Sequence, residues 1–194
     1  MKDFISDHII KSVNTKNEIL KSPEMLSAIA KATKISVDAY RSGNKLLFAG
    51  NGGSAADAQH LAGEMVSRFY FDRPALPAIA LTTDTSILTA AGNDYGFEKI
   101  FSRQIEANGV KGDVLFAITT SGNSPNILKA IEACRTKGIT VIGLTGGTGG
   151  LMKDKCDHIL TVPSNETPII QESHIMIGHI ICALVEEEMF GKGR

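Results

Sequence analysis

The sequence predicts a three-layer α/β/α domain: a five-stranded parallel sheet covered on both faces by helices, preceded by a helical N-terminal segment over residues 1–43. Three observations carry this. Five short apolar runs recur along the chain, at 45–49, 78–82, 113–118, 139–144 and 158–162. Their apolar residues run consecutively rather than alternating with polar ones, the mark of strands buried on both faces. Stretches with helical periodicity separate most of them, and alternating strand and helix gives a parallel sheet.

Each element follows in order. Residues 3–20 and 24–42 have apolar residues at helical spacing and are separated by Ser22-Pro23, an N-cap followed by Pro at the first helical position. Met25, Leu26, Ile29, Ala30, Ala32, Ile35 and Ala39 form one stripe on the second helix, which Ser42-Gly43 ends. Helices are then expected at 54–68, 85–91, 96–107 and 124–137, with a short one near 150–155 and a long one over 168–190. No internal repeat, low-complexity tract or long linker interrupts the chain, so it reads as a single domain of 194 residues.

Composition narrows the function. Twenty basic residues face 21 acidic ones, with no Lys/Arg block, which argues against a nucleic-acid partner. The N-terminal stretch mixes charges into its apolar positions and has no signal-peptide core. The most apolar late stretch, IMIGHIICALV, falls short of the roughly 20 residues that cross a bilayer, so no membrane partner is expected. Cys134, Cys156 and Cys182 are widely spaced and odd in number, as in a cytoplasmic protein with reduced, buried thiols.

Ligands of open parallel sheets collect beyond the carboxyl ends of the strands. Three strand ends here carry turns rich in glycine or hydroxyls: GNGGS (50–54), TTSGNS (119–124) and TGGTGG (145–150). Whether they meet depends on strand order. In the second, Thr119, Thr120, Ser121 and Ser124 supply hydroxyls, and Ser124-Pro125 opens a helix. Backbone amides and the helix dipole there make a phosphate cradle; the alternative is an ordinary capped turn. No G-K-[ST] follows, so it is not a nucleotide-hydrolysing loop. GNGGS lacks dinucleotide-binding spacing, but Asn51 and Ser54 suit sugar hydroxyls, with Ser54 also able to cap the helix. TGGTGG reads as a linker turn, and Glu186, Glu187 and Glu188 as a solvated face.

Two further groupings carry chemistry. His60 and Glu64 are one turn apart on a helix face, about 6 Å from each other. That suits a metal pair, a carboxylate beside an acid/base, or a plain solvated contact. In IIQESHIMIGHI, His179 stands among apolar residues, either as a satisfied core histidine or as a ligand. Gln171 and His179 lie eight residues apart, about 12 Å along a helix, so they converge on one ligand only at a cost. Asn93 and Asp94, between Gly92 and Gly96, read as a turn between helices.

GNGGSAADAQHLAGE, GNDYGFE, TSGNSPN and IQESH…GHI, in this order, resemble the motifs of the sugar-isomerase (SIS) domain family over essentially the whole chain. The resemblance implies a flavodoxin-like sheet and an aldose–ketose isomerase acting on a seven-carbon sugar phosphate, feeding precursors of lipopolysaccharide or capsule. It further implies phosphate binding by Thr119, Thr120, Ser121 and Ser124, and a sugar site of Asn51, Gly52, Gly53, Ser54, Asn93 and Asp94 joined by Glu64 and Gln171. It implies one Zn2+ per subunit on His60, Glu64, Gln171 and His179, with Glu64 and His179 also the catalytic pair. The assembly implied is a cytoplasmic homotetramer with active sites at subunit interfaces. Thr119 departs from the family's usual Ser but keeps the hydroxyl. A rival reading is a non-enzymatic SIS protein resembling the factor that binds the bacterial replication initiator. That relative lacks the catalytic pair, which is present here.

Overall fold

The computed structural model describes residues 1–191. Five parallel strands, β1 (Leu46–Gly50), β2 (Ala78–Ala80), β3 (Val114–Ile118), β4 (Thr140–Gly146) and β5 (His158–Val162), form one sheet in the order β2-β1-β3-β4-β5. This is the flavodoxin-like arrangement, whose direction of winding reverses between β1 and β3.

The uniform apolarity of the strands has its expected cause. All five residues of β1 and all five of β3 are buried, and alternate side chains enter two separate cores. Leu46, Phe48, Val114, Phe116 and Ile118 point to one layer, and Leu47, Ala49, Leu115 and Ala117 to the other. The register Phe48↔Phe116 stacks the two rings 5.1 Å apart. The first layer holds α1 (Lys2–Lys21), α2 (Pro23–Arg41), α3 (Gly53–Val66) and α7 (Thr167–Phe190). The second holds α4 (Thr85–Tyr95), α5 (Ser102–Asn108) and α6 (Pro125–Lys137). Ser22 caps α2 as expected, its hydroxyl accepting from the Met25 amide at 3.1 Å.

The structure corrects several expectations. Asn93 and Asp94 belong to the last turn of α4, which continues through Gly92 and stops only at Gly96, where φ is +89°. A 3-10 turn (Phe97–Lys99) then precedes α5, which is shorter than expected. Cys134 and Cys182 are buried but Cys156 only partly so; burial pushes all three thiols up to about 12. The late apolar stretch lies within a 24-residue helix, α7, long and apolar enough by composition to cross a membrane. Half of that window is buried in this domain, against α2, α3 and β4, so here it is a core helix.

Candidate active site

Strand order answers whether the three turns meet. GNGGS follows β1, the hydroxyl loop follows β3 and TGGTGG follows β4, and these strands are adjacent. The first two flank the point where the sheet's winding reverses, and Asn51 and Asn126 tie them by two reciprocal amide hydrogen bonds of 2.8 Å. The Asn51 side chain is thereby engaged with Asn126, a buried residue that sequence reasoning passed over.

The hydroxyl loop is pre-formed. Thr119 is buried, with its Oγ1 2.9 Å from the Ser124 hydroxyl and 3.4 Å from that of Ser121. Ser124 occupies the N-cap of α6 without its hydroxyl capping the helix. TGGTGG is no linker but a buttress. The Leu151 amide donates to Asn123 Oδ1 at 2.9 Å, and the Met152 amide to the Gly122 carbonyl at 3.0 Å. Gly122 has φ of +68°, and a Cβ there would overlap the Gly149 carbonyl. A cleft of about 180 Å³ opens beside the loop, lined by Thr120, Ser121, Thr148, Ser164, Asn165 and Thr167. Ser54 does not cap α3: Gly52 is its N-cap, and Ser54 is buried in the first turn.

Between α3 and α7 lies a second grouping. Gly178 lets the two helices approach closely, for a Cβ there would lie 2.6 Å from Leu61 Cδ2. Their neighbours His60 and His179 therefore meet, with the Nε2 atoms 2.8 Å apart, and His60 Nε2 lies 3.2 Å from Glu64 Oε1. One ligand atom from each of His60, Glu64 and His179 falls within 4.8 Å of the others. These donors fit a divalent ion. Two imidazoles and a carboxylate are the donor types that zinc takes in proteins.

Gln171 does not join this cluster within one chain. It lies against Gly53, whose added Cβ would be 2.5 Å from Gln171 Nε2, about 12 Å up α7 from His179. Asn93 and Asp94 are exposed on α4, in the opposite layer, with Asn93 Nδ2 donating to Asp94 Oδ1 at 2.8 Å. His174 is buried and apart from the cluster; its Nε2 lies 3.1 Å from the Thr145 carbonyl, and burial pushes its pKa down to about 4.

Two groups were missed. Asp57 precedes His60 by three residues and Glu64 by seven, on the same face of α3, a spacing the sequence displays. Its Oδ2 is buried without a hydrogen-bond partner; desolvation raises its carboxyl pKa, opposed by His60. The other is Glu186, expected on a solvated face. It is 1% exposed and accepts from the Phe69, Tyr70 and Phe71 amides and from Arg73 Nε. Nothing in the run EEE distinguishes it, because its partners are over a hundred residues away.

A hydroxyl-lined loop at the reversal of a parallel sheet, in one domain with a histidine–carboxylate cluster, suits a sugar-phosphate isomerase. The chain belongs to the SIS domain family, whose model matches residues 11–146. It is 63% identical to phosphoheptose isomerase from Aneurinibacillus thermoaerophilus over 98% of this chain and 96% of that one. Phosphoheptose isomerase 2 of Campylobacter jejuni is 60% identical over all of this chain and 96% of that protein. The solved phosphoheptose isomerase of Neisseria gonorrhoeae superimposes with a TM-score of 0.90 at 41% identity, covering 96% of this chain and 98% of its own. Within the family the chain therefore falls in the phosphoheptose isomerase branch.

Proposed function

We propose that this protein interconverts sedoheptulose 7-phosphate and D-glycero-D-manno-heptose 7-phosphate by proton transfer through an enediol. The observation that carries this is the meeting of Glu64, His60 and His179 in the same fold as the pre-formed hydroxyl loop. An aldose–ketose isomerisation moves one proton between C1 and C2 and another between the two oxygens. Glu64 is the carbon base: it takes the proton from one carbon and returns it to the next. His179 carries the proton between the oxygens, its ring braced by Phe69 at 5.6 Å between centroids. Ser121, Ser124 and Thr120 grip the phosphate, with Thr119 fixing the Ser121 and Ser124 hydroxyls, and this remote binding energy positions the reacting carbons.

His60, Glu64 and His179 would hold one Zn2+ per subunit, with Gln171 as the fourth ligand. Bound there, zinc would supply Lewis-acid stabilisation of negative charge developing on the substrate oxygens. Metal-depleted protein is expected to regain turnover and to melt at higher temperature when Zn2+ is added. Equal turnover after thorough chelation, with no change in melting, would remove zinc from the reading.

The assembly proposed is a homotetramer whose sites are shared between subunits. Gln171, Asn93 and Asp94 stand away from the histidine cluster within one chain, so neighbouring subunits would complete each site. An apolar groove of about 440 Å³ beside His179, lined by Tyr70, Ile175, Met176, Ile180 and Leu184, gives such a neighbour a seat. So does the exposed apolar face of α1, with Phe4, Ile5, Ile9, Ile10 and Val13. Light scattering should report four subunits; a fully active monomer would sink this. The cytoplasm is the proposed location, in keeping with three unpaired cysteines. The product would enter heptose precursors of lipopolysaccharide or capsule. A purely binding role is disfavoured, since the full His60, Glu64, Gln171 and His179 set is present.

A further inference from the structure

The segment joining α3 to β2, residues 67–77, has no regular secondary structure. One buried ion pair organises it. Glu186 of α7 and Arg73 of the segment are 1% and 2% exposed, and Arg73 Nε donates to Glu186 Oε2 at 3.1 Å. The same carboxylate receives the successive amides of Phe69, Tyr70 and Phe71, at 2.7, 2.6 and 3.2 Å. The rest of the guanidinium faces the other way. Nη2 donates to the Glu64 carbonyl at 2.8 Å, and Nη1 to the Met65 carbonyl at 2.7 Å and the Pro74 carbonyl at 3.0 Å. Arg73 thus satisfies carbonyls in the last turn of the helix that carries His60 and Glu64. Through Glu186 it is bonded to the helix that carries His179, two turns away. The ordered segment also delivers Phe69 to the His179 ring.

We propose that Arg73 and Glu186 are positioning residues for the isomerisation, fixing the α3 groups His60 and Glu64 relative to His179 on α7. Neither touches the reacting atoms. A structural ion pair elsewhere in the core would serve stability alone, whereas this one bonds to the backbone of Glu64 itself. Its fork also spans two helices that meet at the site, and a single ammonium cannot reproduce those directions. A small displacement between base and substrate is costly in rate, so loosening the clamp should lower kcat. The inference rests on the isomerase reading.

The test uses the intact, zinc-loaded protein. Arg73→Lys keeps the charge beside Glu186 but loses the fork. Glu186→Gln keeps an acceptor for the amides but loses the charge. Ile131→Val, in the opposite layer, serves as a control for modest loss of core packing. For Arg73→Lys and Glu186→Gln the expected result is a kcat lowered tenfold or more, with KM within about twofold and the oligomer intact. Zinc affinity, read by competition with a chromophoric chelator, should weaken in the same two variants, while the control keeps both properties. Arg73→Lys and Glu186→Gln proteins with kcat and zinc affinity within twofold of the parent would overturn the proposal. So would failure of both to fold, which would make the pair a general scaffold. If the parent itself does not turn over the heptose phosphate, it is the isomerase reading that fails instead.

Discussion

Glu64→Gln is expected to lower kcat roughly a thousandfold while leaving the fold and oligomer intact, because general-base catalysis is worth about 10²–10⁴ in rate. The amide has the carboxylate's shape and still offers an oxygen toward His60, 3.2 Å away in the parent. It cannot accept a proton from carbon. The side chain is only partly exposed, so little water stands ready to replace it. Substrate gripped mainly through its phosphate should bind nearly as before, leaving KM little changed. Because Glu64 is also a proposed zinc ligand, metal content belongs beside the kinetics. A variant that retains zinc and has lost turnover assigns the base role. One that keeps more than a tenth of the parent's kcat places the base elsewhere, with Asp57 the next carboxylate on that face.

Gly122→Ala should damage the other end of the site. Its φ of +68° costs an L-residue about 1–2 kcal/mol. Steric overlap adds to this, because the new Cβ would collide with the Gly149 carbonyl, a backbone group with no rotamer to change. The hydroxyl loop and its glycine buttress must then part, breaking the Met152–Gly122 and Leu151–Asn123 hydrogen bonds. Ser121 and Ser124 lose their common setting around Thr119. The expected outcome is a KM raised tenfold or more, together with loss of thermal protection by inorganic phosphate. The parent should show that protection, since a ligand of the folded state raises its stability. Undiminished protection in Gly122→Ala would mean that phosphate binds somewhere other than this loop.

Much of this molecule was legible in the chain. The central strands announce themselves because burial on both faces permits no polar alternation, as β1 and β3 show with every residue buried. The edge strands β2 and β5 are only partly covered. Ser22-Pro23 marks a helix start because capping is decided by neighbours in sequence. His60 and Glu64 pair visibly because helical periodicity alone places them on one face.

What the sequence could not show depends on contacts between residues far apart in the chain. Strand order placed GNGGS beside the hydroxyl loop, and only that order pairs Asn51 with Asn126. The close crossing of α3 and α7 at Gly178 brought His179 against His60 and Glu64, where the sequence showed it only among apolar neighbours. Glu186 looked like any surface glutamate until the fold enclosed it with Arg73 and three amides. Local pattern reports how a segment satisfies its own backbone and which face it buries. Which distant polar groups then share that buried space is settled by tertiary packing, because an enclosed charge must find partners wherever the fold brings them.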